Sequence, residues 1–259
     1  MPDGPALPGK PTDGLAHLPE PGVILFDLDG TLVDTVEARI EGWLDTFREE
    51  SLPASPELVA PLIGADGRRL ARDVAARSGR RLDDAEAERI DRRAGEHYDR
   101  RNRDPRPHRD APALLAALSD SSLRWAIATS SRAEQVMRSV EALGLPDRPM
   151  IIDGSHVAQA KPAPDLLLLA AERLSVPAER CWYVGDSTWD MAAARAAGMV
   201  AVGVSSGSAT AAALIEAGAH AALERLEELR TELWRRGRLS VEDAARAAGP
   251  RSRAGPASP

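Results

Sequence analysis

The sequence predicts an α/β protein, a doubly wound parallel sheet with an all-helical segment inserted after its first strand. Three observations lead there. The apolar run Val23 to Phe26 has the length and unbroken hydrophobicity of a strand buried on both faces. From Ala113 onward, short apolar runs alternate with segments of helical periodicity, the pattern of a parallel sheet covered on both sides. Between these two regions, residues 36–108 show helical spacing and no strand pattern.

Taken in order, residues 1–21 are rich in Pro and Gly without periodicity and read as a flexible leader. After the first strand, Val36, Ile40, Trp43, Leu44 and Phe47 recur at helical spacing. Leu58, Leu62 and Ile63 mark a second, short helix, and Leu70, Val74 and Ala75 a third. The highly charged stretch Asp83 to Arg101 has a helical face at Ala87, Ile90, Ala94 and Tyr98. Pro105, Pro107 and Pro112 make a stiff connection at its far end. Helices then follow at 113–118, 133–143, 164–174, 190–197, 209–217 and 226–234, with Gly144, Gly198 and Gly218 closing three of them. Strands are expected at 123–128, 150–152, 181–184, 199–204 and 221–223. Residues 235–259 are basic and rich in Ala, Gly and Pro, and read as a disordered tail in which Val241 to Ala248 could form a short helix.

With 33 Lys+Arg against 40 Asp+Glu, the net charge is −7, which gives no electrostatic case for a nucleic-acid partner. No apolar run is long enough to span a bilayer. The single cysteine, Cys181, lies in an apolar strand and has no internal partner, so a reducing cytoplasm is expected. Nothing in the residues sets an oligomeric state.

The first strand ends in Asp27-Leu28-Asp29-Gly30. Extended backbone puts Asp27 and Asp29 on one side, at the strand end where open α/β sheets bind ligands. Crowded carboxylates repel unless a cation or a proton separates them, and a hard cation such as Mg2+ suits oxygen ligands. One carboxylate can then act as nucleophile while the other handles a proton. Gly30 lets the chain turn sharply and keeps a side chain off a ligand. On its own, Asp-X-Asp-Gly is equally consistent with a polar or calcium-binding loop.

The longer string Asp27-Leu28-Asp29-Gly30-Thr31-Leu32-Val33-Asp34-Thr35 resembles the first motif of the haloacid dehalogenase-like hydrolase superfamily, most of whose members are Mg2+-dependent phosphatases. The family's three other motifs appear in order. Thr129, after Trp125-Ala126-Ile127-Ala128, stands where a hydroxyl is required at a strand end, although Ser130 or Ser131 could simply cap the next helix. Lys161-Pro162-Ala163-Pro164-Asp165 matches the lysine motif of helical-cap members, and Gly185-Asp186-Ser187-Thr188-Trp189-Asp190 matches the acidic one. The likeness runs from residue 22 to 230 and implies a Rossmann-like core at 22–35 and 109–234 with a helical cap at 36–108, in the branch of phosphoglycolate phosphatases and beta-phosphoglucomutases.

By resemblance, Asp27 attacks phosphorus to form an aspartyl-phosphate, and Asp29 protonates the leaving alcohol and later activates water. Gly30, Thr129, Ser130 and Lys161 hold the phosphoryl group. Mg2+ is held by Asp27, the Asp29 carbonyl and Asp186, and Asp190 supports the site through water or the lysine. The implied partner is a small phosphorylated metabolite. Asp29 argues against dehalogenation, which needs no such acid, and the lack of any Lys in 36–108 closes the Schiff-base route of phosphonatases. The function expected is hydrolysis of a small phosphate monoester, as in phosphoglycolate phosphatases. Arg39 and Arg68, with Arg69 beside the latter, are the cap cations that could meet an anionic substrate group. A sugar phosphomutase is an alternative, weakened because Arg39 occupies the place of that group's cap histidine. A catalytically quiet binding protein on the same scaffold is another. His97, His108 and His156 have no metal-ligand spacing and read as surface or loop residues.

Overall fold

The computed structural model describes residues 14–239. Strand β1 (Val23–Phe26) leads through a tight turn into β2 (Val33–Asp34). Four helices follow: α1 (Val36–Glu49), α2 (Pro56–Val59) with a 3-10 turn at Ala60–Leu62, α3 (Gly67–Arg77) and α4 (Asp84–Arg101). The chain returns through β3 (Arg106–Pro107) to α5 (Ala111–Ser119), β4 (Arg124–Ala128), α6 (Ala133–Ala142) and β5 (Ile151–Ile152). Then come α7 (Asp165–Arg173), β6 (Cys181–Gly185), α8 (Thr188–Ala196), β7 (Val200–Val204), α9 (Ala211–Glu216), β8 (Ala221–Leu223) and α10 (Leu226–Arg235).

Six strands form one parallel sheet in the order β5-β4-β1-β6-β7-β8. The chain builds leftward from β1 to β5, then jumps back across β1 to begin β6. This reversal beside β1 opens a crevice at the carboxyl ends of β1, β4 and β6. Alternation along each strand divides the core into two layers. Ile24, Phe26, Ile127, Trp182 and Val184 pack with α5, α6 and α10 on one face. Val23, Leu25, Ala126, Tyr183 and Ala201 pack with α7, α8 and α9 on the other.

Helices α1–α4 carry a third core of their own, built on Trp43, Phe47, Val59, Leu70, Val74 and Ile90. The charged sequence of α4 still makes a helix because Asp83 and Glu86 form a reciprocal capping box and its apolar face, Ala87, Ile90, Ala94 and Tyr98, is buried. The two chain crossings that join this helical insert to the sheet pair with each other, Val33 opposite Pro107 and Asp34 opposite Arg106, antiparallel. Sequence periodicity misses this ladder because two residues, one of them proline, are too few to show a period.

The leader expected to be flexible over residues 1–21 is packed from Gly14 onward: Leu15 and Leu18 are buried in the first core layer, and the Trp182 indole donates to the Pro19 carbonyl at 3.1 Å. Part of the expected disordered tail is likewise packed. Arg236 donates to the carbonyls of Leu18 (3.0 Å) and Leu15 (2.6 Å) with its guanidinium 5.2 Å from the Trp182 ring centroid, and Leu239 is buried. Residues 1–13 and 240–259, including the short helix expected at 241–248, lie outside the described residues. Among the described residues no helix is long and apolar enough to cross a membrane.

Candidate active site

The crevice beside β1 collects carboxylates from two strand ends and a lysine from the loop before α7. Asp27 follows β1, Asp186 follows β6, and Asp190 lies in the first turn of α8; each offers one oxygen within 4.8 Å of the others, and all three are buried. Lys161, also buried, donates to Asp27 Oδ1 at 2.5 Å and to Asp190 Oδ1 at 2.7 Å. Tyr183 of β6 braces this ammonium, its hydroxyl lying 3.2 Å from Lys161 Nζ, 3.1 Å from Asp190 Oδ1 and 2.9 Å from the Ala128 carbonyl.

The three carboxylates differ in what they have left to offer. Asp190 is saturated: Lys161 and Tyr183 fill Oδ1, while the backbone N–H (2.9 Å) and Oγ (2.6 Å) of Ser187 fill Oδ2. It starts α8 two residues earlier than the periodicity suggests, since Ser187 and Asp190 make a capping box. Asp186 accepts one bond on each oxygen, from Thr31 Oγ1 at 2.9 Å and from the Ser208 N–H at 2.7 Å. Asp27 Oδ2 accepts none among the described residues. Gly30, at φ +88°, leaves no room for a side chain: a Cβ there would sit 2.6 Å from Asp186 Oδ2.

Three buried carboxylates against one ammonium leave net negative charge where water cannot screen it. Burial pushes Asp27 well above the ordinary carboxylate range despite Lys161, with Asp190 and Asp186 adding to the rise. Burial and Asp190 likewise push Asp186 up to about 6. Burial would lower Lys161, but Asp190 and Asp27 outweigh it and hold the ammonium charged. The donor set, oxygen only and in excess negative charge, fits a hard divalent cation, with the unpartnered Asp27 oxygen and Asp186 best placed to hold it.

A carboxyl raised in the folded state opposes folding once ionised, so its penalty appears as pH rises from the unfolded value through the folded one. We therefore expect Mg2+ to raise the melting temperature more at about pH 7.5 than at about pH 5, because the cation relieves repulsion present only above that window. Melting curves at the two pH values with and without Mg2+ check this. An equal gain at both would place the repulsion elsewhere.

Asp29 stands apart from this cluster. Thr35 Oγ1 (2.8 Å) and the Tyr98 hydroxyl (3.1 Å) donate to its Oδ1, and Arg39 Nη2 (2.7 Å) and Ser131 Oγ (2.5 Å) to its Oδ2. Burial pushes its carboxyl up, but Arg39, Ser131 and Thr35 outweigh burial and hold it below the ordinary value. Arg39 also donates to Gln135 Oε1 at 3.0 Å and stacks over Tyr98, 3.7 Å from the ring centroid. Arg39 and Tyr98 belong to the helical insert, so α1 and α4 both grip a residue of the first motif.

Asp27, Asp29, Arg39, Thr129, Ser130 and Lys161 all line one cavity of about 60 Å3 beneath the insert. Thr129 Oγ1 accepts from the Ser131 N–H at 3.2 Å, and Ser130 Oγ is buried with no hydrogen-bond partner among the described residues. Neither serine caps the next helix; Arg132 takes the N-cap position of α6. Arg68, expected as a second substrate contact, does not line this cavity. Its guanidinium is held by Asp66 at 2.7 Å and by the Ala158 carbonyl at 2.8 Å. His97, expected at the surface, is buried with Nε2 3.0 Å from Glu49 Oε1.

The sequence reading did not single out Ser131, Gln135, Tyr98, Asp91 or Arg132, all of which line the cavity. One signal was available: Ser131 and Arg132 continue directly from Thr129. Tyr98 was read only as part of an apolar face, and its hydroxyl is the part that reaches Asp29.

A family model described as haloacid dehalogenase-like hydrolase matches residues 24–204. The chain belongs to this family. It is a haloacid dehalogenase-like hydrolase with a helical cap, α1–α4, inserted after the first strand of its sheet. It is similar to a phosphoglycolate phosphatase of Rhodospirillum rubrum, with 33% identity over 72% of this chain and 80% of that one. It is also similar to a beta-phosphoglucomutase of Bacillus subtilis, with 29% identity over 71% of this chain and 83% of that one. Among solved structures, a hydrolase from Pseudomonas syringae superposes with a TM-score of 0.78 at 31% identity, covering 82% of this chain and 98% of that one.

Proposed function

We propose that this hydrolase is a Mg2+-dependent phosphatase that cleaves a small phosphate monoester through an aspartyl-phosphate on Asp27. The observation that carries the reading is the Asp27 carboxylate itself: buried at the end of β1, fixed through Oδ1 by Lys161 and free at Oδ2. In this reading, Asp27 Oδ2 bonds to phosphorus as the ester P–O bond breaks. Asp29, released from Arg39 and protonated from solvent, gives that proton to the departing alkoxide, and its carboxylate later takes one from the water that attacks phosphorus as the Asp27 O–P bond breaks. Lys161, Thr129, Ser130 and the backbone at Gly30 hold the phosphoryl oxygens. Asp27, the Asp29 carbonyl and Asp186 would hold Mg2+, which supplies charge neutralisation for the phosphoryl group, and Asp190 fixes Lys161.

The Arg39 guanidinium in the cavity wall supports an anionic leaving group of the phosphoglycolate kind, as does the R. rubrum relative. Residues 22–35 and 109–234 then serve as catalytic core and 36–108 as cap. The reading includes a cytoplasmic location, supported by an unpaired, buried Cys181 whose thiol burial pushes up to about 11. Phosphate release from a panel of esters with Mg2+ tests it, with phosphoglycolate, sugar phosphates and nucleoside monophosphates included. Release from at least one ester, dependent on Mg2+, is the expected result. No release, with interconversion of the glucose phosphates instead, would install the mutase reading, which the similarity to the B. subtilis enzyme keeps in view.

A further inference from the structure

Beside the inner cavity lies a second, outer one of about 240 Å3. The two share Gly67, Asp91, Ser130 and Arg132 in their walls. Arg132 stands one residue beyond the Thr129–Ser131 loop, on the sheet side. Its Nε and Nη2 donate to Asp91 Oδ2 at 3.1 and 2.6 Å, and its Nη2 also to Glu88 Oε2 at 2.8 Å, both carboxylates being on α4 of the cap. We propose that the Arg132–Asp91 ion pair is the gate between the outer and inner cavities, opened when an incoming phosphate dianion takes the place of Asp91 on Arg132. This deepens the phosphatase reading and rests on it.

The partition is built to part. Arg132 is the cation in the shared wall, and its guanidinium suits phosphate oxygens as well as it suits a carboxylate. Ser130 Oγ, buried in the same wall without a partner, is a hydrogen bond waiting for an oxygen. Asp91 is a poor permanent occupant, because burial pushes its carboxyl above the ordinary range in spite of Arg132. Gly67, at the start of α3, leaves room for it: a Cβ there would fall 1.9 Å from Asp91 Oδ1. None of the pair's bonds involves Asp27 or Asp29, so the gate can be altered without touching the carboxylates that act on the ester.

The test is the rate at which inorganic phosphate binds the Mg2+-loaded protein, followed by stopped-flow intrinsic fluorescence, since one of the five tryptophans, Trp43, lines the inner cavity. Two variants are compared with wild type. Asp91→Ala removes the closing carboxylate. Gly67→Ala keeps every charge and displaces Asp91 by contact. The expected result is association faster by at least about threefold in both. Wild-type rates in both would overturn the gate. So would acceleration in Asp91→Ala alone, since that is the effect of removing a negative charge anywhere near the site. Failure of phosphate to bind wild type at all would instead remove the phosphatase reading, and the gate with it.

Discussion

Asparagine in place of Asp27 is expected to lower turnover of the best phosphate ester by at least about 10⁴-fold, the scale at which loss of a nucleophile is felt. The same substitution should not weaken the metal-free fold. Asp27 is buried, and burial together with Asp190 and Asp186 raises its carboxyl far above the ordinary range, so the ionised form is held against its own preference. Lys161 keeps Asp190 as a partner at 2.7 Å when Asp27 is neutralised. Activity and melting temperature of Asp27→Asn, measured without Mg2+ for the second, should therefore move apart: one collapses while the other holds or rises. Residual turnover above about one percent would place the nucleophile on another residue, and a melting point several degrees lower would make Asp27 a stabilising anion after all.

Removing Lys161 should harm both. Lys161→Met keeps much of the side chain's bulk but leaves Asp27 and Asp190 buried with no cation between them, beside Asp186. Breaking a buried pair by deleting one partner costs about 3–5 kcal/mol, since the remaining charge is stranded. Here the two stranded carboxylates also repel each other. Turnover should fall at least about 10²-fold, as when one donor to a developing oxyanion is lost. Two controls separate the causes. Adding Asp190→Asn should restore much of the stability and none of the turnover. Lowering the pH toward 5 should shrink the stability deficit, because the stranded Asp27 carboxyl, already raised by burial, then takes up a proton. Chemical denaturation at both pH values measures each. A stability loss unchanged by pH and by the second substitution would mean that Lys161 acts through packing.

The sheet and the placing of Asp27, Thr129 and Asp186 at its edge were legible because each depends on a short stretch of chain, whereas Lys161 and Asp190 were reached through the resembled motifs. An apolar run delivers its next residue to the sheet edge whatever the remainder does, and a parallel sheet brings such edges together. The cap's helices were legible for the same reason, through Trp43 and Phe47 or Ile90 and Ala94 at helical spacing. What escaped was every pairing that exists only once cap and core dock. Arg39 was picked out as a cation for substrate, yet its partner is Asp29. Arg68 was picked out alongside it, yet it reaches across to the Ala158 carbonyl of the core. Asp91 and Arg132 lie 41 residues apart in the chain, and each alone is one more surface charge in a charge-rich sequence. The leader was misread through composition: Pro and Gly obscure the two leucines, Leu15 and Leu18, that bury themselves in the core.

The guanidinium of Arg236 holds the carbonyls of Leu15 and Leu18 and lies over Trp182. Since the Trp182 indole also holds Pro19, the first and last described segments are fastened at one corner of the sheet, through one cation and one aromatic ring. A shortened chain spanning only 22–234, the limits that periodicity alone suggests, would discard both halves of that fastening and open the first core layer to water at Trp182. Cuts placed before Gly14 and after Leu239 leave it whole. Because the two ends meet, a peptide joining them would need to be only short, and new ends could then be opened elsewhere in the chain without dividing the sheet from the residues that seal it.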